Sequence, residues 1–428
     1  MHGRENMGKF VFEPAEREPI GSVLYEEHLK LTAKSRIAPF AGYLMPLWYS
    51  SIGAEHTAVR QTAGLFDCTH MGALEVAGPD AAGFLDTVTT NKIDSLEVGK
   101  ARYSYILDAA GNILDDIIIY HTGPDKYMVV VNASNEPKIK AWFDALLKDQ
   151  AIIDAQSIDR KLQHKPSIRD MRDTNSGSEC RVDIALQGPN STEIILSLAT
   201  NDLAEQISEM KSFRLLEVRL GDIECLICRT GYTGAIACFE LFVHPQEAAK
   251  LWSMLLTEGE QFGLLPCGLG ARDSLRIEAG LPLYGHELDG PFNISPFEAG
   301  YGWAVKLQKE FFIGKAAMQK NSESYDMEVA RIEFPGTKGI RPVRQNDGIL
   351  NSNGECVGWV LSCAGAGESQ IALAYVDRNA ATENNAVSVY YLARSQGQIA
   401  QGRKQSVKKE EVLKADLAGK ILSRFAKF

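Results

Sequence analysis

The stretch that decides the fold is residues 101–135, ARYSYILDAAGNILDDIIIYHTGPDKYMVVVNASN. It contains three runs rich in β-branched and aromatic residues, separated by turn residues, and this pattern predicts three consecutive strands. Residues 109–112, Ala-Ala-Gly-Asn, predict a hairpin turn between the first two. After the third, hydrophobic residues recur at helical spacing, and Ser134 or Asn135 is predicted to cap that helix.

The middle strand carries two adjacent carboxylates, Asp115 and Asp116, in an otherwise apolar segment. Because side chains alternate along a strand, Asp116 should share a face with Tyr120, and Asp115 should share the other face with Ile117. A carboxylate among isoleucines costs about 2–7 kcal/mol unless a partner satisfies it. A catalytic role would explain why that cost is tolerated.

The composition limits the class of protein. The chain has 428 residues, which suggests about three domains, with 45% hydrophobic and 23% charged residues, as in globular proteins. Its net charge of −10 disfavours a nucleic-acid surface. The 8 cysteines are irregularly spaced, so no disulfide framework is expected. Without a signal-like segment or a run of about 18 apolar residues, we expect a cytoplasmic protein with no membrane association.

The pattern changes along the chain. Residues 1–22 are predicted to be a polar tail, and residues 23–320 alternate between helical and strand patterns, which indicates an α+β region. Within it, residues 155–180 are polar and predict a flexible insertion.

A second pattern begins near residue 325. Residues 325–402 contain short strands at regular intervals, typical of a small β-barrel or sandwich. Residues 403–428 are predicted to be a basic amphipathic helix, because apolar residues stand four apart at Leu413, Leu417, Ile421 and Phe425.

Several catalytic signatures are missing from the sequence. It contains no Gly-x-Ser-x-Gly elbow and no His-Glu-x-x-His helix. Cys225 and Cys228 form one lone pair, and we interpret them as buried structural thiols.

The remaining candidates combine aromatic and polar side chains. They are Asp116, Tyr103, Tyr120, Asn132, Tyr232, Glu240 and Arg272. Aromatic walls with a few polar groups suit a planar heterocycle, and a strand carboxylate suits acid–base or electrostatic work on a nitrogen. The same groups would also serve structural hydrogen bonding, and the residues alone leave both interpretations open.

At these residues the chain resembles the aminomethyltransferases (T-proteins) of the glycine cleavage system, within the folate-binding aminomethyltransferase superfamily. The resemblance covers residues 23 to about 380. It rests on PFAGYLMP, EHTAVRQTAGLFDCTHM, AGPDAAGFLDTVTTNKI, GKARYSYIL, GNILDDIIIY, VVVNASN, ALQGPNS, RTGYTG, FELFV, GARDSLRIEAGLPLYGHELD, ISPFEAGYGWAVKL and FIGKAAM.

The resemblance implies an α+β fold in which two interwoven antiparallel lobes and a C-terminal β-barrel surround a central tetrahydrofolate channel. It implies that Asp116 is catalytic and that Glu240 binds the N–H edge of the pterin. It further implies that the other folate-binding residues are Met71, Tyr103, Tyr120, Asn132, Tyr232 and Arg272.

The implied reaction passes a one-carbon unit from the aminomethylated lipoyl arm of H-protein to tetrahydrofolate, releases ammonia and needs no metal. The chain departs from the family pattern at residues 235–238, Ala-Ile-Ala-Cys, where Glu-Asp-Gly is usual. One alternative is a tetrahydrofolate-dependent demethylase or methyltransferase of a small methylated compound. A second is a non-catalytic folate-binding protein of iron–sulfur assembly, whose Lys-Gly-Cys-Tyr-Thr-Gly hallmark differs from the Arg-Thr-Gly-Tyr-Thr-Gly present here.

Overall fold

The computed structural model describes residues 8–15 and 17–428, and these form two compact units. The first unit holds the described residues up to Gly231, together with Ala235–Ala271 and Trp303–Lys320; the second holds Tyr232–Gly234, Arg272–Gly302 and Asn321–Phe428. Residues 272–302 therefore group with the C-terminal part, whereas the sequence pattern placed them in the region 23–320. Within the described residues, no helix combines the length and apolar character needed to span a membrane.

The strands are numbered in chain order. They are β1 (Ile20–Gly21), β2 (Ile37–Phe40), β3 (Tyr43–Pro46), β4 (Ala63–Asp67), β5 (Gly72–Ala77), β6 (Ala101–Leu107), β7 (Ile113–Gly123), β8 (Lys126–Val131), β9 (Ser167–Asp170), β10 (Val182–Gln187), β11 (Leu215–Leu220), β12 (Ile223–Cys228), β13 (Cys238–Val243), β14 (Leu264–Cys267), β15 (Met327–Pro335), β16 (Gly348–Leu350), β17 (Cys356–Ala366), β18 (Ser369–Asp377), β19 (Ala386–Tyr390) and β20 (Leu417–Leu422).

The α-helices are numbered in the same way. They are α1 (Tyr25–Leu31), α2 (Ile52–Gln61), α3 (Ala81–Val88), α4 (Glu136–Leu147), α5 (Ser191–Leu198), α6 (Ala204–Ser208), α7 (Pro245–Gly259), α8 (Leu269–Ala279), α9 (Lys315–Glu323) and α10 (Gln396–Ala400).

The first unit contains an antiparallel five-stranded sheet with the order β6-β7-β8-β5-β9. The three strands and the hairpin predicted within residues 101–135 are confirmed. Gly111 turns the chain between β6 and β7 with a φ of +88°, and a Cβ there would collide with the Ala317 side chain. Only glycine adopts this conformation at no steric cost, so the turn residue is explained locally.

The two faces of β7 belong to two different hydrophobic clusters. Ile117 and Ile119 pack with Trp142 of α4, whereas Tyr120 packs with Phe242 of β13. The predicted alternation of faces is therefore confirmed, and Tyr120 points toward a second sheet.

That second sheet has six strands in the order β11-β12-β13-β10-β4-β14. Its neighbours are antiparallel except for the parallel pair β4 and β14. The chain enters this sheet at β4, leaves to build the five-stranded sheet, and returns at β10. The two α+β lobes are thus interwoven, as the resemblance implied.

The barrel of the second unit is closed in the order β15-β18-β17-β16-β19-β20. Its last strand, β20, pairs with β15 and β19, so the predicted helix over residues 403–428 is wrong and the barrel continues past residue 402. Leu417 and Ile421 face the barrel core. Residues four apart share a face in a strand as well as in a helix, so the spacing of Leu417 and Ile421 could not distinguish the two.

Two other sequence predictions also need correction. Parts of the expected polar tail are nevertheless structured: the Phe10 ring lies 4.8 Å from that of Trp142, and Ile20–Gly21 forms β1, which pairs with β3. Residues 1–7 and 16 lie outside the described residues. The expected flexible insertion at residues 155–180 contains a strand, β9, which pairs with β5 at the edge of the five-stranded sheet. Strand pairing depends on backbone hydrogen bonds, so the polar side chains of this segment do not prevent it.

Candidate active site

Asp116 is held on β7 by two side-chain donors. The Tyr103 hydroxyl donates to Oδ2 at 3.0 Å, and Nδ2 of Asn132 donates to Oδ1 at 2.9 Å. Tyr103 reaches it because it stands opposite Ile118 in the β6–β7 register and so shares the face of Asp116. Residue Asp116 is partly exposed, whereas Asp115 is buried.

Asp115 is fully buried and accepts three N–H donors. Its Oδ2 accepts from the Asn132 backbone N–H at 2.9 Å; its Oδ1 accepts from Nδ2 of Asn132 at 2.8 Å and from Nδ2 of Asn135 at 2.6 Å. Asn135 does occupy the N-cap of α4, but its side chain makes no capping bond and binds Asp115 instead. Asn132 thus joins the two aspartates, although they start from opposite faces of the strand.

The surroundings of the pair oppose ionisation. Burial raises the pKa of Asp115 to about 7, and the neighbouring Asp116 charge adds to that shift. Burial also raises the pKa of Asp116, while hydrogen bonds from Tyr103 and Asn132 act in the other direction. Since the two carboxylates interact, protons bind to the pair as a unit. The arrangement can take up and release a proton near neutral pH.

Glu240 forms a second polar group, on β13. The Tyr120 hydroxyl donates to its Oε2 at 2.6 Å, and the Thr230 hydroxyl donates to the same oxygen. Burial, followed by the Glu240 charge, raises the pKa of Tyr120 well above its usual value, so Tyr120 remains a donor. Among the described residues, none donates a hydrogen bond to the other oxygen, Oε1. That oxygen can accept a donor from a ligand.

Aromatic and apolar side chains surround these two groups. The Tyr120 ring lies 5.4 Å from that of Phe242, and Met71 packs against the same cluster. The Trp303 ring lies 5.8 Å from that of Tyr103, beside a cleft of about 790 Å³ in the first unit.

Tyr232 and Arg272 belong to the second unit, where they contact one another. The Arg272 guanidinium lies 5.0 Å from the centre of the Tyr232 ring, a cation–π distance. The Tyr232 hydroxyl donates to the Pro282 carbonyl at 2.5 Å. The other predicted site residues, Met71, Tyr103, Asp116, Tyr120, Asn132 and Glu240, belong to the first unit.

Sequence reasoning missed Thr230 and Asn135. Thr230 stands next to the Gly-Tyr-Thr-Gly segment, and Asn135 three residues after Asn132, so proximity was the only signal for either. Cys225 and Cys228 are buried, as expected, and burial raises the pKa of both thiols.

Comparisons with known proteins place this architecture in a family. The family model described as the GCVT N-terminal domain matches residues 24–309. An aminomethyltransferase of Symbiobacterium thermophilum is 40% identical over 359 residues, covering 82% of this chain and 88% of that protein. One from Alkaliphilus metalliredigens is 35% identical over 382 residues, covering 88% and 94%.

A solved structure agrees with the sequence relatives. The glycine cleavage system aminomethyltransferase T from Bartonella henselae superposes with a TM-score of 0.71 at 28% identity, covering 94% of this chain and 96% of that chain. The fold is thus that of an α+β protein with a C-terminal barrel, of the type seen in that structure. The chain belongs to the aminomethyltransferase family, and the resemblance predicted from its sequence is confirmed.

Proposed function

We propose that this enzyme transfers the aminomethyl-derived one-carbon unit of lipoylated H-protein to tetrahydrofolate. The products are methylenetetrahydrofolate, ammonia and the free dithiol. Aminomethyltransferases that match most of the chain support this reaction. The observation that carries it is Asp116, a partly exposed carboxylate held by Tyr103 and Asn132 beside a second carboxylate.

Asp116 would act on the folate nitrogens that bind the one-carbon unit. In the overall reaction the methylene carbon exchanges its bonds to sulfur and to the amine for bonds to two folate nitrogens, and the two folate N–H protons end on the thiol and on ammonia. A carboxylate beside those nitrogens stabilises positive charge on them and accepts one of the protons. Because burial raises the pKa of Asp116, its carboxylate is a stronger base than that of an ordinary aspartate.

Glu240 would bind the pterin. Two hydroxyl donors fix its Oε2 and leave Oε1 to accept an N–H group, as recognition of a pterin edge requires. Met71, Tyr103, Tyr120 and Asn132 are assigned to the folate site with it. For Tyr232 and Arg272, contact with folate stays a prediction from the sequence, as do a cytoplasmic location and the absence of nucleic-acid and membrane partners.

One assay tests the proposal. The purified protein is mixed with tetrahydrofolate and aminomethylated H-protein, and ammonia and methylenetetrahydrofolate are measured, with unloaded H-protein as the control. We expect both products in equal amounts. Failure to use the loaded H-protein, with a one-carbon folate formed instead from a small methylated compound, would replace this function by the demethylase alternative.

A further inference from the structure

The side-chain amide of Asn132 serves both aspartates. Its Nδ2 lies 2.8 Å from Oδ1 of Asp115, 2.9 Å from Oδ1 of Asp116 and 3.1 Å from the Asp116 carbonyl oxygen. An amide nitrogen carries two hydrogens, so three acceptors compete for two donors. The position of Asn132 therefore depends on the charge of each carboxylate.

The charges on the pair are not balanced by a cation. Among the described residues, no Lys, Arg or His side chain forms an ion pair with either Asp115 or Asp116. The side chains bonded to them are Tyr103 from β6, Asn132 from the end of β8, and Asn135 at the start of α4. Two carboxylates that share one amide group without a cation repel each other when both are ionised.

The donors are distributed unequally between the two. Asp115 accepts three N–H groups, which favours its ionised form, and it is fully buried. Asp116 is partly exposed and accepts one N–H group and one hydroxyl at its carboxylate. Burial is the main cause of the raised pKa of Asp115, and repulsion from an ionised Asp116 adds to it; only the repulsion disappears once Asp116 holds a proton.

We propose that Asp115 is a positioning residue of this reaction: it holds the Asn132 amide beside Asp116, and its negative charge, when it is ionised, increases the basicity of Asp116. The inference rests on the proposed function, since it assigns the basicity of the group that would act on the folate nitrogens. Asp115 touches no substrate in this role and acts only through Asn132 and through its charge.

The test is the pH profile of kcat/KM, which reports the ionisation of groups in the free enzyme. Replacing the anion with a neutral amide in Asp115→Asn makes Asp116 more acidic, so the acid limb should move down by about one pH unit. Asn135→Ala removes one of the donors that stabilise the ionised form of Asp115, so we expect a smaller shift in the same direction. Tetrahydrofolate affinity and thermal unfolding identify variants that are folded.

Asp108→Asn is the matched control. Asp108 is equally buried and also accepts three N–H donors, from Phe10, Asn112 and the Asn112 side chain, without a bond to either member of the pair. Its profile should keep the wild-type acid limb. An unmoved acid limb in both folded variants, or an equal shift in Asp108→Asn, overturns the inference. Full turnover in Asp116→Asn would instead overturn the proposed role of Asp116.

Discussion

The Tyr120 hydroxyl lies 2.6 Å from Oε2 of Glu240, and this bond joins the five-stranded sheet to the six-stranded sheet. Tyr120 stands four residues after Asp116 on β7, on the same face. One strand therefore positions the candidate catalytic carboxylate and also fixes the candidate pterin-binding carboxylate. The relative placement of these two groups therefore depends on β7.

Tyr120→Phe removes one of the two donors to Glu240 and leaves Thr230 in place. Losing a hydrogen bond to a charged group costs about 1.5–3 kcal/mol. The cost should be smaller here, because the Thr230 hydroxyl still holds the Glu240 carboxylate in place. We therefore expect about a fivefold weaker tetrahydrofolate affinity by calorimetry. Tyr127→Phe, which removes a hydroxyl from the opposite face of the sheet, should bind like the wild type. Unchanged binding in Tyr120→Phe would contradict the role given to this bond.

Glu240→Gln should have the larger effect on binding. The amide keeps the shape of the side chain but loses the charge, and its NH₂ group presents a donor where an acceptor is needed. We expect tetrahydrofolate affinity to fall by about tenfold to a hundredfold, in line with about 1.5–3 kcal/mol for a charged hydrogen bond. An intact thermal transition shows that the fold is kept. Wild-type affinity in this variant would remove Glu240 from the site.

Tyr103→Phe should shift the pH profile in the direction opposite to Asp115→Asn. The hydroxyl donates to Asp116 and lowers its pKa, so its removal raises that pKa. The acid limb of kcat/KM should move to higher pH, while the ring still packs near Trp303. A downward shift would mean that Tyr103 does not stabilise the ionised form of Asp116.

A buried pair between His28 and Asp67 should stabilise the first unit. Nε2 of His28 lies 2.7 Å from Oδ2 of Asp67. Burial alone raises the pKa of Asp67, but the hydrogen bond and charge of His28, with help from His70 and Ser22, lower it to about 2. Because the folded pKa lies below the unfolded value of about 3.9, this stabilisation is present above that pH and is lost as the pH falls through about 2.

Asp67→Asn is therefore expected to cost about 3 kcal/mol at pH 7, since it removes the buried carboxylate charge that pairs with His28. The difference from wild type in denaturant unfolding should shrink below about pH 4. Asp144→Asn removes an exposed carboxylate paired with Lys148 and should cost less than about 1 kcal/mol. Equal costs for the two variants would show that the buried pair adds nothing.

The sequence predicted best what depends on local pattern. Short stretches of sequence contain the hairpin at Gly111 and the alternation that separates Asp115 from Asp116. The family resemblance is likewise carried by short motifs in a fixed order. The contact of Tyr120 with Glu240 spans 120 residues and is set by sheet topology, so no local pattern contains it. The helix expected near Leu417 failed because a spacing of four suits both kinds of element, and pairing with β15 and β19 decides between them.

The most direct test of the central claim is the turnover of Asp116→Asn with aminomethylated H-protein and tetrahydrofolate. Loss of the carboxylate should lower kcat by about 10²–10⁴-fold, the range expected for a positioned acid–base group, while tetrahydrofolate still binds with near wild-type affinity. Turnover within a few-fold of the wild type, or a comparable loss in Asp115→Asn alone, would contradict the assignment of Asp116 as the catalytic residue.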